Sequence, residues 1–113
     1  MEHFHQVTED LRGPYRELVE AIPDVMSGFS ALQVAAMGEG ALSARMKELI
    51  ALAISITREC DGCVAAHARG AARRGATLAE VAEMIGVAIS MNGGPGTVWG
   101  PRALAAFKEF VDT

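Results

Sequence analysis

Apolar residues recur along this chain at spacings of three and four, and no stretch sustains the strict alternation of a half-buried strand. Leu11, Leu18, Val19 and Ile22 give residues 8–21 a helical period, which Arg12-Gly13-Pro14 interrupts. The pattern predicts an irregular first helix, or a turn leading into a helix that starts at Pro14, where proline fits the first turn. Ile22-Pro23-Asp24 ends that element, and Pro23 opens a second helix running to about Met37. Gly38 to Ser43 reads as a loop. Ser43 is placed to cap a third helix over 44–57, whose Met46, Leu49, Ile50, Ala53, Ile54 and Thr57 form one apolar stripe.

The second half continues in the same mode. Arg58-Glu59-Cys60-Asp61-Gly62 breaks the run, and helical character resumes at Cys63 and lasts to about Arg74. Gly75 stands at the usual stop position. Thr77 and Glu80 have capping-box spacing ahead of a fifth helix to about Ser90. Asn92-Gly93-Gly94-Pro95-Gly96 reads as a tight connection. It is no phosphate cradle, because no strand precedes it and no lysine follows. A last amphipathic helix over 98–112 presents Leu104, Phe107, Phe110 and Val111. The fold class this predicts is all-α, a compact bundle of about six helices, with residues 1–113 as one domain.

Composition sharpens the picture. Of 113 residues, 50% are hydrophobic and only 5% aromatic, so the core is expected to be built from Leu, Ile, Val, Ala and gap-filling Met. An Ala-rich core brings helices close together, and small folds of this kind often bury more surface by assembling, so a homo-oligomer is expected. His3 and His5 read as a frayed terminus, and Trp99 as packing at a helix junction or lining a pocket. The net charge of −4 argues against nucleic acid as a partner. Arg69, Arg73 and Arg74 read as the solvated side of the fourth helix. The longest uncharged apolar run, 49–57, falls far short of the ~20 residues that span a bilayer, so no membrane is expected. The acidic opening MEHFHQVTED has no apolar signal core, and a cytoplasmic location is the expectation.

In a reducing compartment a close cysteine pair is more often catalytic or metal-binding than a structural disulfide. Cys60 and Cys63 form a C-x2-C, and His67 follows Cys63 by one turn. At about 100° per residue all three project within a ~60° arc if the helix starts near Cys60. A helix N-terminus offers free N–H groups and a positive dipole end, both of which favour thiolate. A nearby imidazole can accept the thiol proton. If the third and fourth helices run antiparallel, Glu48 comes over His67 and orients it. On the residues alone, a redox pair, a metal site using Cys60, Cys63 and His67, and structural or inert thiols all remain open. Zinc sites usually bring a second ligand pair at longer spacing, which is absent here.

The whole pattern, Glu48-x11-Cys60-x2-Cys63-x3-His67, resembles the active-site signature of the carboxymuconolactone decarboxylase superfamily in its alkyl hydroperoxidase D-like branch. The flanks are similar too: LIALAIS before it, HARGAARRGATLAEVAEMIGVAISMNGGP after it, and GPRALAAFKEF near the end. The resemblance covers roughly 43–111. It implies the all-α alkyl hydroperoxidase D-like fold, assembled as trimers or hexamers. It further implies a peroxidase or disulfide oxidoreductase that reduces small hydroperoxides or exchanges disulfides. Glu48, Cys60, Cys63 and His67 would be catalytic, with no bound cofactor or metal. A redox-active Cys60–Cys63 disulfide would be reduced back to its thiols by an external dithiol donor protein of lipoyl or thioredoxin type. The alternatives are a family member without peroxidase activity and a metal-binding or structural oligomer. Asp61-Gly62 stands where some family sites carry a histidine between the cysteines. Cys63, nearer His67, would give up its proton more readily, and Cys60 is expected to be the more exposed sulfur.

Overall fold

The computed structural model describes residues 2–112 as six α-helices: α1 (His3–Ala21), α2 (Pro23–Met37), α3 (Ala44–Arg58), α4 (Asp61–Arg73), α5 (Leu78–Asn92) and α6 (Gly94–Val111). The local signals act where the sequence puts them. Ser43 Oγ accepts the Met46 N–H at 3.1 Å, and Thr77 and Glu80 close a reciprocal capping box at 3.1 and 2.8 Å. Gly75 takes a positive φ of 81° just after α4, as an αL stop requires.

Two helices differ from expectation. α1 is continuous from His3, with Pro14 inside it. Proline there removes one N–H bond to Asp10, but residues 9–22 are all exposed, so water can take the freed carbonyl. The start is fixed by tertiary contact rather than frayed. Phe4 is buried in the core, and the carboxylate of Glu109 on α6 accepts N–H bonds from Phe4 (3.0 Å) and His5 (2.9 Å) and a 2.9 Å bond from His5 Nδ1. Burial pushes the Glu109 carboxyl upward. The bonds from Phe4 and His5 and the charge of His5 more than offset this, leaving it below its ordinary value. In the second departure, α6 starts at Gly94 instead of near Val98. Only Gly93 (φ 69°) serves as the turn, and Pro95 lies in the first helical turn, where its missing N–H costs nothing.

The core lies where α3, α4, α5 and α6 meet, with the start of α1 closing one end. Leu52, Ile56, Val64, Val81 and Phe107 are its largest fully buried side chains, and Ala65, Ala68, Ala71, Ala103 and Ala106 let the helices approach. Methionine is not the expected filler. Met84 packs against the core, whereas Met46 and Met91 face outward.

The stripe read from the sequence of α3 is divided. Leu49 turns inward with Leu52 and Ile56, while Met46, Ile50 and Ile54 stay exposed. The apolar residues of α3 spread over more than half of its circumference, so periodicity alone does not say which part of that arc the neighbouring helices take. The outward face forms an apolar groove with Met84 and Val87 of α5, about 510 Å³ in volume. α2 buries no residue at all and exposes Val25, Phe29 and Leu32.

Candidate active site at the start of α4

α3 and α4 are joined by two residues. Glu59 adopts a left-handed conformation (φ 52°). Its N–H bonds back to Ile56 O (3.1 Å), and that of Cys60 to Ser55 O (3.2 Å). This is a Schellman-type stop with glutamate in the place usually held by glycine. It folds α4 back along α3 and leaves Cys60 as the N-cap of α4 rather than its first residue.

Cys60 then does what serine or aspartate does elsewhere: its Sγ accepts the Cys63 N–H at 3.2 Å. Cys60 and Cys63 are joined as a disulfide with their Cα atoms 5.2 Å apart. Their exposure is the reverse of the expectation. Cys63 is exposed and Cys60 half-buried, because the cap position tucks Cys60 between the two helix ends.

The antiparallel return brings Glu48 of α3 to His67 of α4. Glu48 Oε2 accepts a hydrogen bond from His67 Nδ1 at 2.8 Å, with both side chains largely buried. With the proton held on Nδ1 by the carboxylate, Nε2 is the ring nitrogen left to take or give a proton. His67 follows Cys63 by one turn on the same helix face. All four residues singled out in the sequence therefore belong to one corner of the molecule. Among the described residues, no group of three or more His, Cys, Asp or Glu side chains is arranged to hold a metal ion.

Two contributors were not singled out by sequence. Gly70 lies under the Glu48 carboxylate, and a Cβ there would fall within 3.0 Å of its carboxyl carbon and both oxygens. The available signal was a residue without a side chain three positions after His67. Leu11 of α1 lies over Gly62, the residue before Cys63, with its Cδ1 3.0 Å from where a Gly62 Cβ would stand. That contact joins elements fifty residues apart, and no local pattern announces it. Trp99 meets both expectations. It packs against the core and lines a shallow cavity with Glu59, Asp61 and Arg102, whose guanidinium lies 4.7 Å from its ring centre.

The sequence model of the carboxymuconolactone decarboxylase family matches residues 23–109. An uncharacterised protein of Cupriavidus necator is 39% identical over 98 residues, 87% of each chain. Uncharacterised protein 4 in the cox locus of Paracoccus denitrificans is 36% identical over 93 residues, 82% of this chain and 84% of its own. The crystal structure of the apo form of a carboxymuconolactone decarboxylase family protein from Legionella pneumophila superposes with a TM-score of 0.93. It covers 96% of both chains at 37% identity.

Proposed function

The chain belongs to the carboxymuconolactone decarboxylase family, and from that premise we propose that it is a thiol-dependent peroxidase or disulfide oxidoreductase of the alkyl hydroperoxidase D-like kind. The observation that carries the reading is the joined Cys60–Cys63 pair at the N-terminus of α4, one turn from a histidine held by a carboxylate.

In the reduced protein the exposed Cys63 passes its proton to His67 Nε2 and attacks the terminal oxygen of a hydroperoxide. The O–O bond breaks. Cys63 becomes a sulfenic acid, and the departing alkoxide takes the proton from His67 and leaves as the alcohol. Cys60 releases its proton, its thiolate stabilised by the N–H groups at the start of α4, and attacks the sulfenic sulfur. The S–O bond breaks, the disulfide forms, and the released proton joins the departing hydroxide as water. An external dithiol reduces the pair and becomes a disulfide itself, which balances the two electrons delivered to the peroxide. Glu48 keeps the imidazole in one tautomer and orientation throughout.

The same reading includes assembly. α2 buries nothing within its own chain, and a helix of 15 residues is marginal in water without a packed face. The bare apolar faces of α2, α3 and α5 support a homo-oligomer.

The test is a count of free thiols. Two thiols should disappear per peroxide consumed and return with a dithiol, and Cys60→Ser and Cys63→Ser should each stop turnover. Retention of both thiols in excess peroxide would end the peroxidase reading, and their retention in excess small disulfide would end the oxidoreductase reading as well.

A further inference from the structure

The geometry points to a ligand site in the groove between α1 and α4 for an amphipathic organic acid: an apolar chain with a carboxylate at its far end. The groove has a volume of about 590 Å³ and begins at Gly62, between the two cysteines. Leu11, Tyr15, Val19 and Ala66 supply apolar walls, and Leu11 already contacts the Gly62 position. Its other lining residues include Arg12, Arg16 and Arg69, with no acidic side chain among them.

Arg69 also lines the two adjoining cavities, which add Arg73 and Arg74. Five of the chain's ten lysines and arginines thus gather along one side of an otherwise acidic protein. The acids lining those adjoining cavities have partners. Glu9 pairs with Arg12 at 3.5 Å, and Glu48 is bonded to His67. Solvated helix positions need no such convergence, and positive charge beside an apolar wall selects a ligand that carries both features.

The spacing sets the length. Arg69 lies seven residues beyond Gly62, two turns along the same face of α4, a rise of about 10 Å. A chain with its carboxylate at Arg69 and Arg12 would bring a hydroperoxide or disulfide carried at that distance to Gly62, the residue next to Cys63. The reacting end rests on the thiol chemistry proposed above; the binding does not.

The test separates the two. Calorimetry on the disulfide form compares decanoate with decanol, which share the apolar chain and differ in charge. Decanoate should bind about tenfold more tightly, the worth of one charge-assisted hydrogen bond at a half-exposed site. The advantage should shrink with salt and vanish in Arg12→Gln/Arg69→Gln. Decanoate should also slow alkylation of the reduced cysteines by neutral iodoacetamide in a saturable way. Equal binding of decanoate and decanol would overturn the site and leave the groove an apolar contact for a second copy of the chain. Binding without protection of the thiols would overturn the placement beside Cys63. Loss of peroxide turnover with decanoate binding intact would defeat the peroxidase reading alone.

Discussion

Replacing Gly70 by alanine should uncouple Glu48 from His67 while the fold stands. The new Cβ would meet the end of the Glu48 side chain, not backbone, so the carboxylate gives way. What it leaves is a 2.8 Å bond to His67 Nδ1 between side chains only 16% and 24% exposed. A hydrogen bond to a charged group in such a setting contributes ~1.5–3 kcal/mol. If the imidazole is partly misoriented rather than lost, about half of that comes off transition-state stabilisation. The consequence is a ~4–13-fold slower reaction of the thiols with peroxide. Alanine is also the better helix former by about 1 kcal/mol, which offsets the cost of moving Glu48, so the melting temperature should change little. Stopped-flow oxidation of the reduced protein by cumene hydroperoxide measures the rate, and a thermal melt measures the fold. The decisive background is Glu48→Ala. There the Gly70→Ala methyl meets no carboxylate, so it should cost no further rate and should raise the melting temperature by about 4 °C or more. If Gly70→Ala slows the reaction equally with and without Glu48, the clash is not what matters and the reasoning fails.

Two further perturbations read the scaffold. Glu109→Gln removes the charge that accepts three bonds from the start of α1 and should destabilise by about 1–3 kcal/mol at neutral pH. Because the folded carboxyl titrates below its unfolded value, that contribution is complete above about pH 5 and is lost as pH falls through the folded value. The gap between wild-type and variant melts should therefore narrow as pH falls below about 5, and a gap that widens in acid would count against the assignment. Glu59→Gly relieves a left-handed glutamate at the end of α3 and should stabilise by roughly 0.5–1 kcal/mol, less than the full strain because glycine is freer when unfolded. A destabilised Glu59→Gly protein in urea titration would show that the glutamate side chain contributes more there than its backbone costs.

What the sequence disclosed is what short-range geometry controls. Ser43, Thr77 and Gly75 act on backbone groups within a few residues, so their roles could be read one by one. Cys60, Cys63 and His67 share one helix start, and Glu48 comes to them through a single tight reversal, so the site needed only the direction of one turn. What stayed hidden depends on elements far apart in the chain. The Glu109 bonds to Phe4 and His5 span more than a hundred residues and turn a seemingly loose terminus into a fixed one. On α3 the sequence shows apolar residues on both faces. Which face turns inward is decided by the small side chains of α4 and α6, not by the period of α3. The basic residues of α4 read as solvated because their α1 counterparts, Arg12 and Arg16, lie more than fifty residues away.

The capping role of Cys60 bears on which sulfur the reductant attacks. A thiolate released from Cys60 lands on the Cys63 N–H and the positive end of α4, whereas one released from Cys63 does not receive that bond. The better leaving group is therefore Cys60, and the sulfur under attack is Cys63, which is also the exposed one. A helix-terminus interaction of about 1 kcal/mol gives this direction roughly a fivefold preference, and the shielding of Cys60 adds to it. The sequence alone placed Cys60 as the more exposed sulfur, and its position as the N-cap reverses that order. Treating the oxidised wild-type protein with a monothiol such as N-acetylcysteine, quenching in acid and sequencing the peptide between Arg58 and Arg69 by tandem mass spectrometry locates the adduct. The mixed disulfide should lie mainly on Cys63. Accumulation on Cys60 would mean that the N-cap bond does not govern the leaving group and that access to the half-buried sulfur comes from a rearranged helix start.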